Sequence, residues 1–189
     1  IPMKNWTREM FFEQTGLPWI ATSPNIPTET SAFCYAATGI VGDMNISVGI
    51  GTTKPFEYVG APWLDKLDFA AKLNVLEMPG VVFRPIAFIP NYGIYAGELC
   101  QGVQMHITDK RSFQPAHVGA QMVRLLMRDY SQRDLFPKRS SDGYKIDIAL
   151  GESSLRYAEI PLKDIFNRWD RENAYFAEKV QPYLLYPLK

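Results

Sequence analysis

Planar polar side chains lie near turn-forming residues and aromatic rings in this sequence, a combination typical of carbohydrate binding. Amide, carboxylate, guanidinium and imidazole groups form directed hydrogen bonds to hydroxyls, and aromatic rings offer apolar faces to sugar rings. The polar candidates are Asn25, Asn45, Glu57, Arg84, Gln104, His106 and Asp109. Their types predict a saccharide ligand.

Carboxyl groups among these residues point to glycoside hydrolysis. Most glycosidases hold one protonated and one ionised carboxyl group about 5 to 10 Å apart. Glu57 and Asp109 are the first candidates, and Asp43, Asp65 and Glu98 come after them. Because a sequence does not give the separation, the catalytic pair is a hypothesis.

Each candidate also has a structural interpretation. Glu57 can bond backbone amides in a turned loop, and His106 can be a satisfied histidine on the polar face of a strand. Asp109 can be a turn residue or a helix cap. Arg84 can pair with an internal carboxylate or bind an anionic ligand group in a bidentate manner. The sequence leaves both sets of roles open.

Other reaction classes lack their motifs. Residues 49–54 do not have the spacing of a phosphate-binding loop, and no Gly-x-Ser-x-Gly nucleophile elbow occurs. Cys34 and Cys100 lack a catalytic context and permit either one disulfide or two buried thiols. Two cysteines and two histidines without metal-ligand spacing predict no zinc site. We expect no metal and no organic cofactor.

The elements that position these residues begin with a loop-rich stretch. Pro18, Pro24 and Pro27 favour turning, extended backbone, so the first segment is predicted to be mostly loop. Residues 33–41 are predicted to be a buried strand, and the alternation over residues 46–50 predicts a second strand. Glycines on its other face indicate either close protein packing or a floor for a ligand.

The rest of the chain predicts three helices and two more strands. Pro85 places one of these strands at a sheet edge or a bulge. The helices are predicted over residues 64–76, 115–130 and 162–180, the strands over 81–89 and 102–109, and a polar link over 131–143. This pattern predicts an α+β fold with a mixed, largely antiparallel sheet, packed helices and long Pro/Gly-rich loops at the amino terminus.

Size and charge limit the function classes. A chain of 189 residues, of which 47% are hydrophobic, suits a single domain spanning residues 1–189. Twenty basic and twenty acidic residues give no net charge and no basic stripe, so no nucleic-acid partner is expected. No apolar run is long enough to predict a membrane span. The start at Ile1, without an initiator methionine, predicts that the chain is a fragment.

Several of these motifs together resemble the NamZ/YbbC-like family, in order along nearly the whole chain. The matching segments are TGLPW at 15–19, SPNIPT at 23–28, NIS at 45–47, GTTKPFE at 51–57, GAPW at 60–63, CQGVQMHITD at 100–109 and YLLY at 183–186. Characterised members are exo-β-N-acetylmuramidases, which release terminal N-acetylmuramic acid from peptidoglycan fragments.

The resemblance implies half of an enzyme. In the family a Rossmann-like amino-terminal domain precedes this part, the cleft lies between the two domains, and the proposed catalytic glutamate belongs to the amino-terminal domain. The implied partners are that domain and a muramic-acid-containing saccharide, in the bacterial periplasm or at the cell surface. The implied saccharide contacts are Asn25, Asn45, Thr52, Thr53, Glu57, Arg84, His106 and Asp109. A non-catalytic saccharide-binding or scaffolding domain is the alternative.

The sequence departs from the family pattern at two places, one of them Gly-Asp-Met over residues 42–44, where Glu-Gly-Thr is common. Many members read Ser-Glu-Gly-Arg-Gly-Thr where this chain has Ser-Val-Gly-Ile-Gly-Thr over residues 47–52. Val48 and Ile50 therefore replace one acidic and one basic residue. If the lost arginine binds the lactyl carboxylate, Arg84 or Lys54 must supply the charge.

Overall fold

The computed structural model describes residues 1–140 and 143–187, which form an α+β fold. Within these residues the helices are α1 (Glu29–Thr38), α2 (Lys66–Val75), α3 (Pro115–Asp129), α4 (Lys145–Leu150) and α5 (Leu162–Val180). The strands are β1 (Tyr58–Ala61), β2 (Val81–Phe88), β3 (Cys100–Ile107), β4 (Lys138–Ser140) and β5 (Gly143–Tyr144). The predicted fold class is confirmed, and the described strands pair only in the antiparallel sense.

The three-stranded sheet has the order β1-β3-β2, with β3 at its centre. Pro85 lies in β2, an edge strand, as predicted. Because side chains alternate along a strand, one face of the sheet is apolar and contributes Val59, Phe83 and Met105 to the core. Helix α2 packs against β2 and β3. The opposite face carries the polar residues of β2 and β3.

The predicted strand over residues 33–41 is wrong, because most of this segment belongs to α1. The Thr28 hydroxyl caps the helix by accepting a hydrogen bond from the Ser31 backbone N–H at 3.1 Å. Ser31, Cys34, Ala37 and Thr38 are buried, which is the spacing of one helical face. A short apolar run does not distinguish a buried strand from a buried helix, and here the cap and the burial spacing show the helix.

The predicted strand over residues 46–50 is also wrong. Ser47 forms an isolated bridge with Gly60, after which the chain turns. Gly49 and Gly51 have φ angles of +76° and +85°, in a region that side chains other than glycine rarely adopt. Glycines that suggested one open strand face therefore serve turns instead.

Helices α3 and α5 follow the predicted ranges closely. Gly119 lets α3 approach α1, since a Cβ at this position would lie 2.3 Å from the Ala37 carbonyl oxygen. In α5, Ile165 is buried and Phe166 and Trp169 pack against the core.

The predicted polar link over residues 131–143 contains β4 and the start of β5, and its residues 141 and 142 lie outside the described residues. No helix in the described part of the chain is long and apolar enough to cross a bilayer.

The two cysteines are buried and are not bonded to each other. Burial, reinforced by the negative charge of Glu57, raises the pKa of the Cys34 thiol to about 12. Burial also raises the pKa of the Cys100 thiol to about 11. Both thiols are therefore protonated and unreactive at neutral pH.

Candidate functional site

Four of the eight predicted contact residues lie in one closely packed region, which we call the rim. The rim consists of Asn25, residues 45–56 and the loop of residues 89–99 that packs on them. The Asn91 backbone N–H donates to the Gly51 carbonyl at 2.8 Å, and a Cβ at Gly51 would lie 2.5 Å from the Tyr92 carbonyl oxygen. The glycines of the rim therefore allow close packing of protein on protein, and the ligand-floor alternative does not apply at Gly51.

The packing of the rim bonds Asn25 and Thr52 to protein groups and leaves Thr53 exposed. The Tyr92 hydroxyl donates to Asn25 Oδ1 at 2.7 Å, and the Tyr92 side chain remains about half exposed. Thr52 Oγ1 donates to the Gly49 carbonyl at 2.6 Å and accepts from the Lys54 backbone N–H at 3.1 Å. Thr53 is exposed. Thr52 therefore stabilises the turn, whereas Tyr92 and Thr53 are available to a ligand.

Asn45 anchors another segment of the chain. Its Nδ2 donates to the Asp134 carbonyl at 2.8 Å, and its backbone N–H donates to the Leu135 carbonyl at 2.9 Å. The Tyr95 hydroxyl donates to the Asn45 carbonyl at 3.0 Å and accepts from Trp63 Nε1 at 3.2 Å. The asparagine that the motif suggested for sugar binding therefore connects the rim to residues 134–135.

Glu57 and Arg84 belong to one polar chain along the sheet. Lys54 Nζ lies 3.3 Å from Glu57 Oε2, Gln104 Nε2 donates to the same oxygen at 3.3 Å, and Arg84 Nη2 donates to Gln104 Oε1 at 2.7 Å. The Glu57 side chain is only 4% exposed. Its carboxylate therefore serves internal bonds, and Arg84 and Lys54 are the exposed ends of the chain.

His106 and Asp109 lie further along β3 and just beyond it. His106 shares the polar face with Gln104, and its Nε2 is buried without a hydrogen-bond partner in the described residues. Asp109 accepts from Ser112 Oγ at 2.7 Å and from the Arg111 backbone N–H at 3.0 Å. These bonds lower the pKa of Asp109, so the group is ionised and acts as a turn residue.

The arrangement supports recognition better than chemistry. The rim collects Asn25, Asn45, Thr52 and Thr53, and the sheet face collects Glu57, Arg84 and His106, while Asp109 lies in the turn after β3. Both leading carboxylates are occupied by internal bonds. Within residues 1–140 and 143–187 no group of three His, Cys, Asp or Glu side chains is placed to hold a metal ion.

Sequence reasoning missed Tyr92 and Tyr95, which join the rim together. A signal was present, because residues 89–97 read Ile-Pro-Asn-Tyr-Gly-Ile-Tyr-Ala-Gly, a turn-rich segment with two tyrosines. It also missed a cavity of about 670 Å³ lined by three arginines. That cavity lies beside the segment anchored by Asn45.

Comparison with known sequences explains the order of these motifs. The family described as exo-β-N-acetylmuramidase NamZ, C-terminal, matches residues 33–186. The chain belongs to the NamZ family. The amino-terminal model of the same NamZ family matches residues 1–30, the loop-rich stretch that leads into α1.

Relatives of this NamZ-family chain are about twice its length. It is 35% identical over 193 residues to the peptidoglycan β-N-acetylmuramidase NamZ of Bacillus subtilis (strain 168), covering 98% of this chain and 45% of that protein. A DUF1343 family protein of Bacteroides fragilis NCTC 9343 superimposes with a TM-score of 0.84 at 32% identity, over 97% of this chain and 49% of that one. A second B. fragilis protein of that family, at 19% identity, shares the fold with a TM-score of 0.59.

The departure from the NamZ-family pattern lies inside the rim. Val48 is buried, and its side chain would contact a Cβ at Gly42 at 3.2 Å. Ile50 is partly buried and packs against the core, close to Gly93 of the loop of residues 89–99. Val48 and Ile50, where the resemblance implied charged residues, therefore support the apolar packing of the rim in this chain.

Proposed function

We propose that this chain is the cleft-completing domain of a glycoside hydrolase that acts on muramic-acid-containing peptidoglycan fragments. The observation that carries the proposal is the family match over residues 33–186. The chain spans 45% of the B. subtilis relative, so the activity is assigned to a longer protein. In this proposal a Rossmann-like amino-terminal domain supplies the catalytic glutamate and the other wall of the cleft.

The geometry supports a role in recognition. Glu57 is paired with Lys54 and Gln104, and Asp109 is held in a turn, so neither is placed as a free general acid. Thr53, Tyr92 and Arg84 are exposed and offer hydroxyl and guanidinium donors to a saccharide. Because peptidoglycan is the substrate in this proposal, the protein works in the bacterial periplasm or at the cell surface.

Release of a chromogenic aglycone from an N-acetylmuramide by the full-length protein tests this function. We expect turnover of the muramide and much slower turnover of the matching N-acetylglucosaminide, which lacks the lactyl carboxylate. The glucosaminide is the matched control because the two sugars otherwise share the same ring. Absence of turnover by folded full-length protein would contradict the proposal.

A non-catalytic saccharide-binding domain is the second candidate, and the apolar Val48 and Ile50 favour it. The 189-residue chain alone distinguishes the two when it is titrated with a muramyl saccharide. Tight binding without a partner domain favours a binding module. Weak or absent binding, together with turnover by the full-length protein, favours half of a cleft.

A further inference from the structure

One cavity shares no lining residue with the rim or with the polar face of the sheet. About 670 Å³ in volume, it lies between the carboxyl-terminal half of α3, residues 131–136 and residues 158–162. We call it the arginine cavity. Its lining residues are Arg124, Met127, Arg128, Ser131, Arg133, Leu135, Phe136, Ala158, Ile160, Pro161 and Leu162. The volume falls in the range of sites that hold small molecules.

The lining combines an apolar wall with three cations. Met127, Phe136 and Leu162 are among the apolar side chains that form most of the surface. The remaining polar residue is Ser131, so the lining has one neutral hydrogen-bonding side chain. Saccharides need several such groups, whereas an apolar molecule with one anionic group needs few. The lining therefore suits an organic anion better than a sugar.

Two of the three arginines form no ion pair with any described residue. Arg128 forms a bidentate pair with Asp129. Arg133 lies with its guanidinium carbon 5.4 Å from the Trp63 ring centroid, and no carboxylate in residues 1–140 and 143–187 lies within ion-pair distance of Arg133 or Arg124. A cation stacked on an aromatic ring keeps its in-plane donors free for an oxyanion.

Arg124 adds an unmet donor to the cavity wall. Its Nη2 donates to the Ile160 carbonyl at 2.7 Å and to the Ser154 carbonyl at 3.2 Å, which leaves the positive charge unpaired. Its Nε is buried and has no partner within the described part of the chain. Burial lowers the pKa of Arg124, and the negative charge of Glu159 offsets this only in part, so a further anion beside Arg124 would stabilise its charge.

Hydrogen bonds from Asn45 and Arg124 fix the walls of the arginine cavity. Asn45 holds residues 134 and 135 on one side, and Arg124 holds the carbonyls of Ser154 and Ile160 on the other. A ligand would therefore meet a preformed site, which reduces the entropy cost of binding.

We propose that the arginine cavity binds a small organic anion, a carboxylate or phosphate attached to an apolar body. The apolar body lies against Met127, Phe136 and Leu162, and the anionic group lies against Arg133 and Arg124. This site is separate from the saccharide site of the proposed function, and it does not depend on that function being correct.

Isothermal titration of the full-length protein with octanoate and with phenyl phosphate tests the proposal. The two probes separate carboxylate from phosphate recognition, and octan-1-ol and phenol are their neutral counterparts. We expect saturable binding of at least one anion and binding of its neutral counterpart weaker by about 10-fold or more, because hydrogen bonds to charged groups carry that much free energy.

Three variants locate the site. Arg133→Gln should weaken anion binding by about 10-fold or more, and Met127→Trp should also weaken it, because the larger ring displaces the apolar body from its wall. Arg111→Gln is the matched control, since Arg111 also lies over an aromatic ring, Phe11, but does not line the cavity. It should bind like the wild type.

Several results would overturn the proposal. They are failure of folded full-length protein to bind either anion, equal binding of the neutral counterparts, and unchanged binding by Arg133→Gln or Met127→Trp. Competitive displacement of the anion by a muramyl saccharide would overturn the separation of the two sites. Loss of muramidase activity with intact anion binding would refute the proposed function alone.

Discussion

The rim and the arginine cavity use their polar groups in opposite ways. In the rim, the side chains of Asn25, Asn45 and Thr52 bond protein groups, and Gly51 lies against backbone. In the arginine cavity, two guanidinium groups lack a carboxylate partner within the described residues, and a volume of about 670 Å³ is left open. The rim contains more of the sequence motifs. The cavity contains guanidinium groups without a carboxylate partner among the described residues, and it leaves space for a ligand.

This difference shows what a motif can mean. Glycine, asparagine and threonine at close spacing shape backbone, and their polar groups are often used up in doing so. A partly buried cation without a carboxylate partner among the described residues, such as Arg124, is stabilised when an anion binds beside it. A dense run of turn-forming residues therefore shows where the backbone is constrained. Charged groups without a partner in the protein show where the molecule can bind a ligand.

Replacement of Gly51 by alanine should produce the largest loss of stability. The new Cβ would lie 2.5 Å from the Tyr92 carbonyl oxygen, at a φ angle of +85°. We expect a loss of about 3 kcal/mol in the free energy of unfolding, from overpacking and left-handed backbone strain together. Urea denaturation measures it.

Gly93→Ala is the matched control for Gly51→Ala. Gly93 has a φ angle of +88°, but its nearest contact would be 3.7 Å away, so backbone strain alone should cost about 1 kcal/mol. Equal losses in the two variants would show that the rim is not closely packed.

Glu57→Ala tests whether the buried carboxylate is structural. Removal leaves the buried Gln104 amide without its acceptor, and we expect a loss of about 2 kcal/mol in the free energy of unfolding. The exposed Glu98→Ala should change stability by less than about 0.5 kcal/mol. A fully stable Glu57→Ala protein that no longer binds saccharide would instead assign Glu57 to the ligand.

Asn45→Ala should have a smaller effect and a local one. The bond from Nδ2 to the Asp134 carbonyl is lost, at a cost of about 1 kcal/mol in unfolding free energy. Hydrogen exchange should become faster over residues 131–136, the segment that Asn45 anchors. Unchanged exchange there, combined with weaker saccharide binding, would favour the sugar-contact role.

Asp129 should produce the smallest effect, visible only in acid. The hydrogen bond from Arg128, with help from Lys72, lowers the pKa of Asp129 from 3.8 to about 2. The stabilisation is therefore present above about pH 4 and is lost as the pH falls through 2. Asp129→Asn should give a flatter curve of stability against pH between 4 and 2, measured by thermal unfolding. An equally steep curve in the variant would assign the acid dependence to other groups.

Much of the fold could be predicted from sequence, and the reasons differ by element. The strands β2 and β3 alternate and the helices α3 and α5 have helical periodicity, so their ranges were predicted to within a few residues. Helix α1 was missed because its apolar run has no clear period, and residues 46–50 were misread because their alternation comes from turn glycines.

The candidate site was predictable in residue types and not in roles. The sequence suggested a ligand role for Asn45, Glu57 and Asp109. Asn45 and Glu57 instead bond residues that are distant in sequence, and Asp109 bonds residues of its own turn. The arginine cavity joins α3 to segments some 30 residues later in the sequence, as in the bond from Arg124 to Ile160. Such pairings depend on tertiary structure, which periodicity does not contain.

The catalytic rate of full-length variants tests the central claim most directly. If this chain recognises the saccharide and the chemistry lies elsewhere, Glu57→Gln and Asp109→Asn should release N-acetylmuramic acid with kcat values within about 10-fold of the wild type, because neither carboxyl group transfers a proton. A loss of about 1,000-fold in kcat by either folded variant would place a catalytic carboxylate in this chain and contradict the account.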